Sequence, residues 1–333
     1  MTKKEFLPLF FILFLLAASS AFSFSLKISY GLDSIGGGDF NRSIQGWRSY
    51  FADHNQSPYS FDYNLGQLRS FWGWRLELIH NLSSHLSIGL AMEMMSARLS
   101  GDMSWDFNQI ETYSIGQDET VKIKTAEESY QEPHYRLKAF PLLFAFYYSF
   151  PLSRKLKFSL GAGAGFYRGR LQNREYYTYS FDYEYTYTTD CCLLTDVDEY
   201  FATGDYEEKS RSLALGFHGG GSLELRLSSS LSFVVEIFAR WVNFKGWKGE
   251  RLDEYTWEHT WGPFGTEYDS GQEKELTGGK LWLVDYECSE TGKTYPRLVF
   301  SPDMPVSPFF REVREGIISL SGVSARIGFL IRI

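Results

Sequence analysis

A run of carboxylates is the first feature of this 333-residue chain whose residue types could do chemistry. Asp196, Asp198 and Glu199 fall within four positions, and hard oxygen ligands of this kind suit Ca²⁺. Their spacing lacks the full loop of a known calcium motif. The surrounding segment from Gln172 to Ser210 holds ten carboxylates and two bases. A weak calcium site is therefore one interpretation, and a solvated acidic surface is the other.

A second feature is a row of six aromatic residues at every other position, separated by Thr, Ser, Asp and Glu. The row consists of Tyr177, Tyr179, Phe181, Tyr183, Tyr185 and Tyr187. Alternation of this kind predicts a β-strand with one aromatic face. Such a face either packs the core of a sheet or forms a stacking platform for sugars or host ligands, since rigid amphipathic rings suit recognition surfaces.

Cysteines are the third feature, and there are only three of them. We expect a disulfide from Cys288 to Cys191 or Cys192, which would tie two long connections together; three separate thiols are the alternative. The chain is no disulfide scaffold.

The elements that must position these residues are strands, and the hairpin from Ser212 to Phe244 shows the pattern most clearly. Leu, Phe, Ile and Gly on one face alternate with small, polar and charged residues on the other. Each arm is long enough for a tilted membrane crossing of about 9 to 11 residues. The hairpin therefore predicts a strand pair with one apolar face.

The same alternation recurs along the chain and predicts eight strands. They lie at about residues 25–36, 72–80, 85–97, 135–150, 156–170, 212–227, 231–244 and 317–333. Short turns alternate strictly with long connections, which cover about residues 37–70, 98–133, 171–210 and 245–315. All short turns then lie at one end of the sheet and all long loops at the other.

The N-terminus has the features of a secretory signal peptide. Lys3 and Lys4 precede an apolar run from Phe6 to Ala18, and small residues follow it. We expect a signal peptide at residues 1–23 and a mature chain at 24–333. The net charge of -8 argues against a nucleic-acid partner.

These strands, the export signal and the loop asymmetry resemble the small eight-stranded outer-membrane β-barrels of Gram-negative bacteria, of the OmpA-domain, OmpX and OmpW kind. The resemblance implies an all-β fold, a closed antiparallel eight-stranded transmembrane barrel with long extracellular loops. It also implies a bacterial outer-membrane location, contact with outer-membrane lipid, a monomer, and assembly through the C-terminal strand. Members of that family usually end on an aromatic residue, whereas this chain ends in Ile333.

Closing such a barrel turns the charged faces inward. The expected lumen charges are Lys27, Asp33, Arg75, Glu77, Glu93, Lys157, Glu224, Arg226, Glu236, Arg240, Arg326 and Arg332. An eight-stranded barrel is just wide enough for side chains, so these residues form either a salt-bridged plug or a narrow ion path.

Function is therefore expected in the loops. We expect a structural or surface-interaction protein whose acidic, Tyr-rich loops bind an extracellular ligand, with no enzymatic activity and no cofactor. A narrow porin or small-solute channel is the alternative. A lipid A-modifying enzyme is disfavoured, because no histidine has an assignable serine partner near the membrane surface.

Overall fold

The computed structural model describes residues 24–56, 58–115, 120–188 and 192–333. These residues form antiparallel strands almost throughout, with one helix, so the all-β class predicted from the alternation is confirmed. The predicted signal peptide at residues 1–23 lies outside the described residues. Within the part that is described, no helix is both long enough and apolar enough to cross a membrane.

The elements follow one another along the chain with short connections. In order they are β1 (Phe24–Ser34), α1 (Asp39–His54), β2 (Tyr59–Tyr63), β3 (Ser70–Asn81), β4 (Leu86–Ser100), β5 (Met103–Ser114), β6 (Thr120–Pro151), β7 (Leu156–Thr188), β8 (Leu193–Arg226), β9 (Leu231–Phe244), β10 (Lys248–Pro263), β11 (Glu267–Glu287), β12 (Thr294–Ser301), β13 (Phe310–Glu315), β14 (Ile318–Ser319) and β15 (Gly322–Arg332).

Eight of the strands form a ring of hydrogen-bonded neighbours. The antiparallel pairs are β1–β3, β3–β4, β4–β6, β6–β7, β7–β8, β8–β9, β9–β15 and β15–β1. These are the eight segments predicted from the alternation. The short connections after β3, β6 and β8 lie at one end of this ring.

The two faces of the ring strands differ in the way the alternation predicts, because successive side chains of a strand point to opposite sides. Apolar side chains such as Leu76 and Ile327 are exposed on the outside. Charged side chains such as Glu77 and Arg326 are buried inside.

Three ring strands are far longer than predicted. β6, β7 and β8 contain 32, 33 and 34 residues, and they continue past the ring as a sheet. β10 pairs with β8 and β11 with β10, while β5 pairs with β6 and β2 with β5. We call this extension the projecting sheet. It comprises β6 before about residue 134, β7 after about residue 173 and β8 before about residue 208, together with the strands that pair with them there.

Strands fill most of the long connections at 98–133, 171–210 and 245–315, and the strand predicted from the alternation at Tyr177–Tyr187 is part of β7. The alternation through Tyr177–Tyr187 continues the period of β7, and unbroken pairing with β6 and β8 keeps the backbone in register. Thus strand pairing extends the sheet through the long connections between the predicted ring strands.

The helix occupies part of the segment predicted as the first loop. Phe40, Ile44, Trp47 and Phe51 recur at helical spacing and give α1 an apolar stripe. We call α1, the C-terminal part of β11 from Leu281 onward, β12 and β13 the cap. The helix packs closely on β12 at Gly46. A methyl group added at this glycine would come within 2.9 Å of the Pro296 side chain.

An apolar core joins the cap to the end of the ring that is remote from the short turns. It includes Phe40 and Ile44 of α1, Met95 and Val242 of the ring, and Trp247. This core closes one end of the ring and holds the base of the projecting sheet in place.

Candidate functional site

The interior of the ring holds two linked clusters of charged side chains. In the first, Lys27 lies between Glu77, whose carboxylate is 2.6 Å from its Nζ, and Glu236. Arg75 contacts the same Glu77 at 3.1 Å, and the hydroxyl of Tyr147 donates a hydrogen bond to that carboxylate. The lysine, the arginine and both carboxylates are buried.

The second cluster lies nearer the cap and links two carboxylates to two guanidinium groups. Arg240 contacts Asp33 at 3.0 Å and Glu93 at 3.1 Å. Arg326 contacts the same two carboxylates, Asp33 at 3.0 Å and Glu93 at 3.1 Å. Arg75 joins the clusters, since it also lies 3.6 Å from Glu93.

The buried charges balance. Four cations meet four carboxylates in the two clusters, so each charge has partners that offset the cost of removing it from water. One aromatic ring, Phe238, lies within 6 Å of three guanidinium groups: those of Arg75 at 5.3 Å, Arg240 at 5.8 Å and Arg326 at 5.0 Å. The arrangement is a paired network rather than a surplus of one sign.

The remaining predicted lumen charges lie near the short turns. Glu224 is buried and contacts Lys157 at 2.8 Å and Arg332, and both of those cations are partly exposed. Arg226 is exposed, so its assignment to the buried network is wrong. It has the inward parity, but it is the last residue of β8 and reaches solvent.

Little space remains inside the ring. Two polar cavities of about 20 and 50 Å³ lie among these side chains. The glycines of β7 do not leave an open path, because the Tyr147 ring covers Gly161 and a methyl group there would come within 2.5 Å of it.

The six predicted platform residues of β7 all lie on one face of the projecting sheet and are all half-buried. Their face continues the inward face of the ring. Tyr177 covers Gly204 on the neighbouring strand, and the Tyr179 hydroxyl donates a hydrogen bond of 2.7 Å to Glu127.

Other strands add rings to the same face, which we call the aromatic face. The row through Tyr179 pairs across the sheet with Trp105 and Phe61 on one side and with Trp257 on the other. The next row contains Phe107, Phe181, Tyr200 and His259. Local sequence patterns do not group these residues, because they are separated by up to about 200 positions.

The structure does not bring together the three residues of the weak calcium candidate. Asp198 and Asp196 lie on the aromatic face, opposite Tyr183 and Tyr185, whereas Glu199 points to the other side of the same strand. Three carboxylates divided between two faces cannot surround one ion. Asp198 instead accepts a hydrogen bond from His259, whose Nε2 lies 2.7 Å from Oδ1.

The predicted disulfide is not formed at Cys288, which is a buried free thiol in the cap. Cys191 lies outside the described residues, and Cys192 is exposed at the tip of the β7–β8 hairpin. The pair Arg170–Arg211 lies near the end of the ring, and the pair Thr188–Leu193 lies at the tip, 18 residues further along each strand. At roughly 3.3 Å per residue this is a distance of about 60 Å. The long hairpin therefore carries Cys192 away from the ring end on which the cap sits.

Cys288 contacts a histidine instead. The Sγ atom lies 3.3 Å from Nε2 of His54, and the Nδ1 atom of the same ring lies 2.6 Å from the carbonyl oxygen of Tyr50. Glu290 completes the group, with a carboxylate oxygen 3.9 Å from Nε2. In the sequence, 234 residues separate His54 from Cys288, and no spacing signal links them.

Both ionisable groups of this pair are shifted toward their charged forms. Burial raises the pKa of the Cys288 thiol, but hydrogen bonds from the backbone of Thr291 and from His54 outweigh it and leave the pKa lowered. Burial lowers the pKa of His54, but its hydrogen bonds to Tyr50 and Cys288 leave that pKa raised.

No protein-family model and no curated protein matches this sequence. Solved structures similar to it include a major outer membrane protein from Thermus thermophilus, with 11% identity, a TM-score of 0.26, and coverage of 93% of this chain and 99% of that one. The outer membrane protease OmpT from Escherichia coli has 9% identity and a TM-score of 0.27, covering 95% and 99%. A FadL homologue from Pseudomonas aeruginosa has 7% identity and a TM-score of 0.16, covering 94% and 90%. At such TM-scores these likenesses assign no site or activity to this chain.

Proposed function

We propose that this chain is an integral outer-membrane protein with a surface-interaction role. In this proposal the ring is a closed eight-stranded barrel that crosses the bilayer, and the projecting sheet binds a ligand outside the cell. The observation that carries it is an exposed apolar belt around all eight ring strands. One member from each strand is Leu32, Leu76, Met94, Phe146, Leu160, Leu215, Ile237 and Ile327, with exposed fractions between 41% and 59%.

The belt supports a membrane location because soluble proteins rarely expose contiguous apolar patches of more than a few hundred Å². A ring of paired strands also satisfies its backbone groups internally, which hydrocarbon requires. A secreted barrel with an apolar pocket would have the reverse orientation, with charges outside and apolar side chains inside.

The ring interior supports a structural role rather than conduction. Its charges are paired, its cavities are small, and the apolar core under the cap covers one end. We therefore propose the salt-bridged plug and expect planar bilayers with the refolded protein to stay silent.

The aromatic face supports the ligand-binding role, and its charge indicates the class of ligand. Half-buried rings such as Tyr183 and Trp257 lie beside carboxylates such as Glu127 and Asp198. Cations bind over aromatic faces and pair with carboxylates. A basic polypeptide thus fits this surface, and we propose one as the ligand.

Membrane location is tested by expressing the full chain in a Gram-negative host and separating the two membranes. We expect the protein in the outer-membrane fraction, and we expect it to migrate faster in detergent gels before heating than after. A protein found in the soluble fraction, without heat-dependent migration, would contradict the proposal.

Ligand binding is tested with the protein in detergent micelles and a fluorescent Lys-rich peptide, compared with a Glu-rich peptide of the same length. The double variant Tyr183→Ser, Tyr185→Ser should weaken binding of the Lys-rich peptide roughly tenfold, since it removes two rings worth about 0.5–1 kcal/mol each. Tyr176→Ser is the matched control, because Tyr176 is exposed on the opposite face of the same strand. Equal binding of both peptides, or equal loss in the control, would refute the proposed ligand class.

A further inference from the structure

Three side chains in the cap bring different donor atoms together. His54 comes from the last turn of α1, and Cys288 and Glu290 come from the turn between β11 and β12. One ring nitrogen, the sulfur and one carboxylate oxygen all lie within 4.8 Å of one another. Among the residues that the structure describes, this is the one group of three such ligands. We propose that it is a Zn²⁺ site.

The histidine is oriented for coordination by its second nitrogen. Nδ1 lies 2.6 Å from the carbonyl oxygen of Tyr50, so it carries the proton and donates it there. Nε2 faces the sulfur of Cys288 at 3.3 Å, and loss of its proton to solvent would free its lone pair for an ion. A backbone carbonyl that accepts the other N–H is the usual way in which a protein fixes a metal-binding imidazole.

The turn that carries the other two donors is already shaped. The amide of Gly292 donates to the carbonyl of Cys288 at 2.8 Å, and the amide of Cys288 donates to the carbonyl of Lys293 at 2.9 Å. Gly292 has φ of 64°, which glycine adopts without strain. The turn brings position 290 back beside position 288.

A separate contact clamps this turn to the helix. Asp53, the neighbour of His54, accepts hydrogen bonds from Lys293 and from the Tyr295 hydroxyl, each at 2.7 Å. The three donors therefore come from two segments that are fixed to each other without a metal. Little conformational freedom is lost when an ion binds to such a site.

The donor set selects zinc over the hard cations. Ca²⁺ and Mg²⁺ take oxygen ligands, whereas Zn²⁺ binds thiolate, imidazole and carboxylate together. With Zn–N near 2.0 Å and Zn–S near 2.3 Å, a tetrahedral ion separates N and S by about 3.5 Å, and the observed separation is 3.3 Å.

The fourth coordination position faces solvent. The Glu290 side chain is 74% exposed, whereas that of His54 is 10% exposed and Cys288 is buried. An ion bound here would complete its coordination with water. It would also join α1 to the β11–β12 turn, and so tie the cap together above the ring.

The test uses the full chain, refolded in detergent, with Co²⁺ as a spectroscopic probe and Zn²⁺ as its competitor. We expect one Co²⁺ per chain with a thiolate-to-cobalt charge-transfer absorption, and we expect Zn²⁺ to abolish this band. Cys288→Ser should remove the band. A cobalt spectrum without thiolate absorption in the wild type would overturn the proposal.

A second variant distinguishes loss of metal binding from loss of folding. Because Glu290 is exposed, Glu290→Gln should leave the heat-dependent gel migration unchanged and lower Zn²⁺ affinity by roughly 10- to 100-fold, the scale seen even for weaker perturbations of metal sites. His134→Gln is the control, since His134 is exposed and contacts only Glu132 among the ion pairs of the described chain, at 3.2 Å. Unchanged affinity in Glu290→Gln, or equal losses in His134→Gln, would also overturn it.

Discussion

The ring interior and the aromatic face are two parts of one continuous surface, since β6, β7 and β8 run through both. Inside the ring β1, β3, β4, β9 and β15 complete this surface, and they carry the buried lysine, arginine and carboxylate groups that contact one another. Beyond the ring the same parity of residues carries tyrosine and tryptophan, and these side chains are half-buried. The inward surface of the sheet thus changes its chemistry where the ring ends.

The difference shows what closure of the sheet demands. In the ring, charges from β1, β3, β4, β9 and β15 reach one another across the interior, so pairing satisfies them. In the projecting sheet, none of the described strands closes a hydrogen-bonded ring opposite the aromatic face. No such partners are therefore supplied across an interior. Rings that cover neighbouring glycines, as Tyr177 covers Gly204, bury apolar surface there without needing a partner across a lumen.

Removing one carboxylate from the ring should have the largest effect on stability. Glu93 contacts Arg75, Arg240 and Arg326, so Glu93→Gln leaves three buried guanidinium groups with one fewer anion. We expect a loss of about 3–5 kcal/mol in the free energy of unfolding, measured by urea titration in lipid vesicles.

The matched change in the projecting sheet is Glu128→Gln, at an exposed position of β6. It should alter the free energy of unfolding by less than about 0.5 kcal/mol. Equal losses in the free energy of unfolding for Glu93→Gln and Glu128→Gln would contradict the contrast between paired buried charges in the ring and exposed charges in the projecting sheet.

A charge on the outside of the ring distinguishes lipid from water as its surroundings. Leu76 lies in the apolar belt of β3, and Leu76→Arg should cost about 2–4 kcal/mol in a bilayer. Ile110→Arg, at an exposed position of β5 in the projecting sheet, should cost little. Comparable stability of the two variants in vesicles would argue against a membrane-spanning ring.

The smallest expected effect is a pH dependence at the base of the projecting sheet. Burial raises the pKa of Glu175 and of Glu208, with hydrogen bonds from Tyr206 and Ser210 only partly opposing it. A raised folded-state pKa contributes stability that is fully present below the unfolded pKa, near 4.3, and is lost as pH rises through the folded value.

The projecting sheet should therefore resist limited proteolysis better at pH 5 than at pH 7. Glu208→Gln should reduce this difference, because the amide does not titrate. A protease sensitivity that is independent of pH in the wild type, or a full pH response in the variant, would contradict the assignment.

Much of the ring could be predicted from the sequence because its signal is local. The alternation in β8 and β9 indicates which residues face the interior, and Glu236, Arg240 and His218, which it places there, are buried in the structure. The projecting sheet was less predictable. The polar-aromatic alternation from Tyr177 to Tyr187 predicted a strand, but nothing in it identified the partner strands β10 and β5.

The amino-acid sequence by itself determined the class of fold, the number of ring strands and the face of each residue, because side-chain direction in a strand has a period of two. Tertiary structure alone decided which charges meet, that Asp198 and Glu199 lie on opposite faces of a paired strand, and that His54 meets Cys288 rather than a second cysteine. Those outcomes depend on strand register and on packing between segments that can lie more than 200 residues apart in the sequence. Local periodicity carries no information about either.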